Sequence, residues 1–251
     1  MIRLISRDTH HSMTHLTPPP APYTEHDGGP LADVPAARPA VHTERAFAGA
    51  VWDVTREAFL MVPGAAAEED AGGTEDDHPD LLVREFIRHP GAVAVVALDD
   101  QDRVRMIRQY RHPVGEELWE IPAGLLDVPG EHLVEAARRE LAEEADLRAD
   151  RWDVLADFYT TPGSSSEGIR VFLARGLSPV PVGERHERTG EEAGMPLAWV
   201  QVTDAVQAVL AGRLRNPSSV VGLLALLAHR DGGFADLRPA DAPWHGRPLG
   251  G

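Results

Sequence analysis

Residues 120–147 read EIPAGLLDVPGEHLVEAARRELAEEADL. Within it, Leu133, Ala136, Ala137 and Leu141 recur at helical spacing, which predicts a helix over Leu133–Ala145 with one apolar or small face. On that helix Glu140, Glu143 and Glu144 stand at i, i+3 and i+4, so their side chains share a face. Three carboxylates that close repel, and a hard divalent cation with oxygen ligands turns the repulsion into coordination. Upstream, Pro122, Ala123 and Gly124 predict a tight loop, in which glycine lets the backbone approach a ligand and expose its carbonyls. Arg139 is spaced to reach back to Glu131 and pin the loop to the helix. A face rich in Glu and Arg is ordinarily solvated and laced by pairs such as Arg139–Glu143. The adjoining loop is what sets this one apart.

Outward from that segment the chain reads as a string of strands closed by helices. Strand patterns fall at Phe47–Val54, Arg56–Val62, Leu81–Ile87, Ala92–Leu98, Val104–Tyr110 and Leu118–Ile121 on the amino-terminal side. Trp152–Thr160, Ile169–Ala174 and Leu197–Val202 follow on the other, with a polar loop over Leu177–Pro196. Thr203 is read as the cap of a helix running to Ala211. Asn216 and Pro217 read as N-cap and first residue of a last helix, with an apolar stripe of Val220, Val221, Leu223, Leu224 and Leu227. This order predicts an α/β fold with helices packed on a mixed sheet. Residues 1–42, with seven prolines and few large apolar groups, are expected to be disordered, and residues 231–251 to be a loose tail. An acidic insert at 63–80 interrupts a strand region at 43–88, and a catalytic domain is expected over 89–230.

Composition narrows the chemistry. The chain has 251 residues, enough for a sizeable core without staples. Cysteine is absent, which excludes disulfides, thiolate nucleophiles and cysteine-held metal clusters. All 24 basic residues are arginine, which excludes P-loop lysines and Schiff-base chemistry. The net charge of −16 disfavours nucleic acid and anionic membranes as partners, and requires local neutralisation if the substrate is a phosphate ester. No apolar run approaches the roughly 18 residues of a membrane helix. Residues 1–16 have no apolar core of the signal-peptide kind, so a cytoplasmic location is expected.

The 120–147 segment resembles the signature of Nudix hydrolases, G-x(5)-E-x(7)-R-E-U-x-E-E-x-G-U with U aliphatic. Gly124, Glu131, Arg139, Glu140, Leu141, Glu143, Glu144 and Leu147 fall in its order. There are two departures. Six residues rather than five separate Gly124 from Glu131, which resembles a loop variant in actinobacterial ADP-ribose pyrophosphatases. Asp146 stands in place of the late glycine, and since Asp tolerates left-handed geometry, a strained but intact turn is expected. His89-Pro90-Gly91-Ala92-Val93, Arg108-Gln109-Tyr110-Arg111, Thr161-Pro162-Gly163 and Asn216-Pro217-Ser218 resemble the ADP-ribose branch, and the likeness spans about Phe47 to His229.

The resemblance implies a Nudix α/β/α sandwich with a mixed sheet, and an amino-terminal antiparallel sheet that forms a two-fold dimer through Phe47, Val51, Trp52 and Val54. It implies hydrolysis of ADP-ribose to AMP and ribose 5-phosphate with Mg2+ or Mn2+. Glu140, Glu143, Glu144 and the carbonyl of Ala123 would bind metal, with Arg139, Gly124 and Glu131 supporting them. The general base would come from the later loop, as Glu192 or, next, Glu191; both are also readable as solvated loop acids. Arg111, Arg84, Glu120 and Trp52 would contact substrate. For Arg111 the alternative is an ion pair with Glu116 or Glu117. For Arg84 and Glu120 it is an edge-strand salt bridge, and for Trp52 a core or dimer-interface place. Glu167 and Ser164–Ser166 are read either as ordering the substrate loop or as a flexible turn. Two rival functions stay open: hydrolysis of another nucleoside diphosphate sugar or dinucleotide, and ADP-ribose sensing without turnover.

Overall fold

A computed structural model describes residues 31–50, 52–61, 81–188 and 193–244. The chain divides into Met1–Ala37 and Arg38–Gly251. In the first unit the described residues, 31–37, are exposed and form no helix or strand. The acidic insert, Val51 and both candidate loop bases, Glu191 and Glu192, lie outside the described residues.

The second unit begins with an antiparallel sheet of β1 (Ala40–Phe47), β2 (Val54–Leu60) and β3 (Leu81–Ile87). β1 starts inside the stretch expected to be tail and ends at Phe47, where the first strand was expected to begin, while β2 starts two residues before the expected Arg56. Every residue of β1 is exposed, so no apolar alternation marks it. Its ladder to β2 and the reach of Arg56 across the sheet to Glu44 and Glu85 hold it instead.

The central sheet runs β11–β8–β9–β4–β7. Its strands are β4 (Ala92–Ala97), β7 (Ala123–Leu125), β8 (Leu147–Tyr159), β9 (Gly168–Pro179) and β11 (Arg238–Pro239). β4 pairs parallel with β9 and the other pairs are antiparallel, so the sheet is mixed as expected. β4 is buried on both faces, which explains its unbroken Ala/Val run. Val93, Val95 and Ala97 join the core under α1 (Leu133–Ala145). Ala92, Ala94 and Val96 join the opposite core. That second core is completed by α2 (Val202–Leu210) and α3 (Pro217–Arg230). A third sheet, β10 (Leu197–Gln201), β5 (Arg103–Arg111) and β6 (Glu116–Glu120), delivers the chain to Ile121 and Pro122.

Three expectations change. α2 begins at Val202 with Gln201 as its N-cap, so Thr203 is not the cap. α3 does not bury Leu224 or Leu227; its inward face is Ser218, Ser219, Gly222, Leu223 and Leu226. Small residues let the helix approach closely: a Cβ on Gly222 would lie 2.9 Å from a Val96 methyl. The carboxyl-terminal stretch is not loose in its described part. β11 pairs with β8, and the Arg170 guanidinium donates to the carbonyls of Ala242 (2.6 Å) and Pro243 (3.0 Å). Backbone carbonyls taken up by a distant side chain leave no mark in local composition.

Candidate active site

The site is built where β7 meets α1. β7 is the loop expected around Ala123 and Gly124, drawn into the sheet by antiparallel pairing with β4, Val93 opposite Gly124. Leu126 then donates its N–H to the carbonyl of Gly91 at 3.0 Å, fixing the exit of the turn. The Pro122 carbonyl accepts from Val95 N–H at 2.8 Å, fixing its entry. Ser219 on α3 accepts from Ile121 N–H at 3.0 Å.

α1 presents its carboxylates to this turn. Glu140 and Glu144 are both buried. Glu144 Oε2 accepts the Ala123 N–H at 2.8 Å. Glu140 lies so close to Gly124 that a Cβ there would overlap its carboxylate, so a side chain at that position would push the carboxylate off the turn. Both acids therefore converge on the Ala123–Gly124 turn.

Arg139 gathers the remaining acids. Its Nε and Nη2 donate to the two carboxylate oxygens of Glu131, each at 3.1 Å, in the fork geometry that suits a carboxylate. Its Nη1 donates to Glu140 Oε1 at 2.5 Å and to Glu143 Oε2 at 3.3 Å. The Glu131 hydrogen bonds, against partial desolvation, hold the Arg139 guanidinium above its already high ordinary pKa. Its charge is thus fixed in place among the acids.

Among the described residues no group of three or more His, Asp or Glu side chains forms a finished metal cage. The acids rest on protein donors, Arg139 and the Ala123 amide. The donor set nonetheless fits a hard divalent ion: carboxylate oxygens from adjacent helical turns, two of them buried, beside a backbone turn kept open by glycine.

The end of α1 explains the departure at residue 146. Asp146 is left-handed at φ 56° and ψ 36°, the turn expected of it, and its N–H returns to Leu141 O. Its carbonyl accepts from Val180 N–H at 2.9 Å. Its carboxylate lies 2.7 Å from Arg188 Nη2, and Arg188 Nε donates to Glu143 O at 2.8 Å. A side chain at this position, which glycine lacks, ties α1 to the segment after β9.

Beside the turn opens a cleft of about 920 Å³, lined by Arg45, Trp52, Asp53, Arg88, Leu125 and Asp127 among others. That is the size range of small-ligand sites. Trp52 is stacked on His89, ring centroids 4.6 Å apart at 26°. Arg111 and Glu120 do not line this cleft. They bind each other bidentately, at 2.9 and 2.7 Å, while Glu117 pairs with Arg108 and Glu116 with Arg215. Arg84 is exposed on β3 and donates to the Val83 carbonyl at 2.7 Å.

The NUDIX domain family profile matches residues 88–219. The chain belongs to this family. It is 42% identical over 208 residues to the ADP-ribose pyrophosphatase of Mycobacterium tuberculosis, covering 83% of this chain and 91% of that protein. It is 34% identical over 140 residues to the methanol dehydrogenase activator of Bacillus methanolicus, covering 56% of this chain and 74% of the other. A solved structure described as an ADP compounds hydrolase superposes with a TM-score of 0.61 at 19% identity, covering 80% of this chain and 98% of that one. This last likeness bears on the fold, a Nudix sandwich. No helix among the described residues is long and apolar enough to cross a membrane.

Two groups behind Trp52 carried no residue-level signal in the sequence. His89 was visible only inside a family-like pentapeptide. Thr160, whose hydroxyl donates to Glu167 Oε2 at 2.6 Å, carried no signal at all, because the partnership forms only when β8 and β9 close their loop.

Proposed function

We propose that this Nudix hydrolase cleaves the pyrophosphate of ADP-ribose with water, giving AMP and ribose 5-phosphate, and requires Mg2+ or Mn2+. The observation that carries the reading is the convergence of Glu140 and Glu144 on the Ala123–Gly124 turn, whose following residues Leu125 and Asp127 line the 920 Å³ cleft. The 42% identity to a protein named ADP-ribose pyrophosphatase supports the substrate.

Glu140, Glu143, Glu144 and the Ala123 carbonyl would hold the divalent ion, which when bound supplies charge neutralisation at the diphosphate and a more acidic water. The chain supplies the rest. Arg139 orders the carboxylates and limits their mutual repulsion. Gly124 keeps the turn close to Glu140. A water on the carboxylate face attacks one phosphorus in line, the bridging P–O bond breaks, and the proton passes to a loop glutamate, Glu192 in our reading with Glu191 next. The cleft takes the nucleoside end, with Trp52 as a stacking surface for the base. Arg111, with Glu120 beneath it, and Arg84 are assigned to the phosphate and ribose side. The β1–β3 sheet is the proposed surface of a homodimer, and the cytoplasm the proposed location.

The test is direct. Purified protein with ADP-ribose and Mg2+ or Mn2+ should release both products. Glu144→Gln should lower kcat by about 10²-fold or more, the scale of losing a charge-stabilising group at a reacting centre. Retention of most activity in that variant overturns the metal assignment.

A further inference from the structure

His89 is 7% exposed, too buried to meet a substrate, yet it stands between Trp52, which lines the cleft, and Glu167 of the loop between β8 and β9. One ring face carries Trp52, which lines the cleft. Its Nδ1 accepts the Gly91 N–H at 3.0 Å, so the ring proton belongs on Nε2. Nε2 lies 3.3 Å from Glu167 Oε1. The other Glu167 oxygen is held by the Thr160 hydroxyl. The backbone repeats the connection: His89 N–H donates to Ser166 Oγ at 2.9 Å, and Ser166 N–H to Ile87 O at 3.0 Å. Burial lowers the His89 pKa and Glu167 opposes that shift, so the neutral ring is kept. Gly91, whose amide His89 accepts, uses its carbonyl to hold Leu126 just past the catalytic turn.

We propose that His89 is a positioning residue that sets the orientation of Trp52 as the base-stacking wall and locks it to the Thr160–Glu167 loop, so that the nucleoside end of the site is held as one unit. The proposal rests on the reading of the cleft as the nucleoside subsite. It requires two separable things of one ring, an aromatic face for Trp52 and an accepting and a donating nitrogen for Gly91 and Glu167.

Two substitutions separate them. His89→Phe keeps a ring face and loses both nitrogens. His89→Gln keeps an acceptor and a donor and loses the ring. Each should weaken AMP binding, measured by calorimetry without turnover, by about five- to tenfold, the loss expected of one misplaced aromatic contact. KM for ADP-ribose should rise by the same factor while kcat stays within about twofold. Inhibition by ribose 5-phosphate should not change. Trp52→Leu alone should weaken AMP binding as much, and adding either His89 substitution to it should cost nothing further. Trp52 is only half-buried, so its single variant remains informative if a His89 variant fails to fold. Unchanged AMP binding in Trp52→Leu, or in both folded His89 variants, overturns the proposal. So does full additivity with Trp52→Leu. If the wild-type protein binds AMP with this dependence yet does not hydrolyse ADP-ribose, the positioning role stands and the assigned reaction falls.

Discussion

Arg111 meets Glu120 with two parallel hydrogen bonds, and the carboxylate beneath is 2% exposed. In the β5–β6 hairpin Arg111 stands opposite Glu116, but its side chain runs along the shared face past Leu118 to Glu120. The strand register alone would have assigned the pair to Glu116, which is why sequence spacing offered Glu116 or Glu117 as partners. A buried carboxylate deprived of its bidentate partner carries a desolvation cost left unrepaid by that pair. Arg111→Met should therefore destabilise the fold by about 2–3 kcal/mol. This is below the roughly 3–5 kcal/mol of a fully buried pair, because water reaches the guanidinium side. Glu120→Gln added to it should recover most of that loss. Urea denaturation of the two variants and the wild type checks this. A stable Arg111→Met with a raised KM would instead make phosphate binding the dominant role of the arginine.

Helix α1 shows how far an element can be read in advance. Its span, acid face and left-handed end at Asp146 were all legible, because each follows from contacts within a few residues of chain. α3 shows the limit. Asn216 caps it as expected, its Oδ1 accepting Ser219 N–H at 3.0 Å. Its buried face was misread because apolar bulk points to the wrong side. Gly222 and the two serines are small because β4 and Ile121 pass directly beneath them. A Cβ on Gly222 would meet Val96 Cγ2 at 2.9 Å, Ile121 Cδ1 at 3.2 Å and Val171 Cγ1 at 3.4 Å. Gly222→Ala gains about 1 kcal/mol in helix propensity and loses roughly 1–3 kcal/mol to overpacking. We expect a net loss of stability. Activity should fall with it, since the same helix grips Ile121 just before the Ala123–Gly124 turn that the proposed metal site needs. A variant as stable as wild type in chemical denaturation would mean that α3 stands farther from the sheet.

Across the molecule, the carboxyl-terminal strap closes the α1 side of the sheet around a fully buried charge. Arg170 has no exposed surface. It is balanced by Asp157 at 2.8 and 2.9 Å, by two strap carbonyls, and by Trp244 lying over its guanidinium at 5.6 Å. Arg238, also on the strap, adds a bond to Asp157 at 2.7 Å. Burial alone would push the Asp157 carboxyl up. The hydrogen bonds from Arg170 and Arg238 outweigh it and hold the group below the usual carboxylate range. A depressed carboxylate stabilises the fold above its unfolded pKa, and that contribution is lost as pH falls toward the folded value. Deleting residues 238–251 removes the two carbonyls, the indole and one of the two guanidiniums, and leaves Asp157 as the partner of Arg170 among the described residues. The truncated protein should be less stable at pH 7 by about 2–4 kcal/mol, the cost of stripping partners from a buried charge. Because part of the Asp157 contribution is already gone from it, the gap from full-length protein should narrow as pH is lowered from 5 toward 3. Urea midpoints across that range decide the matter. A gap that stays constant would show that the strap is held by apolar packing, and not by the charge network it covers.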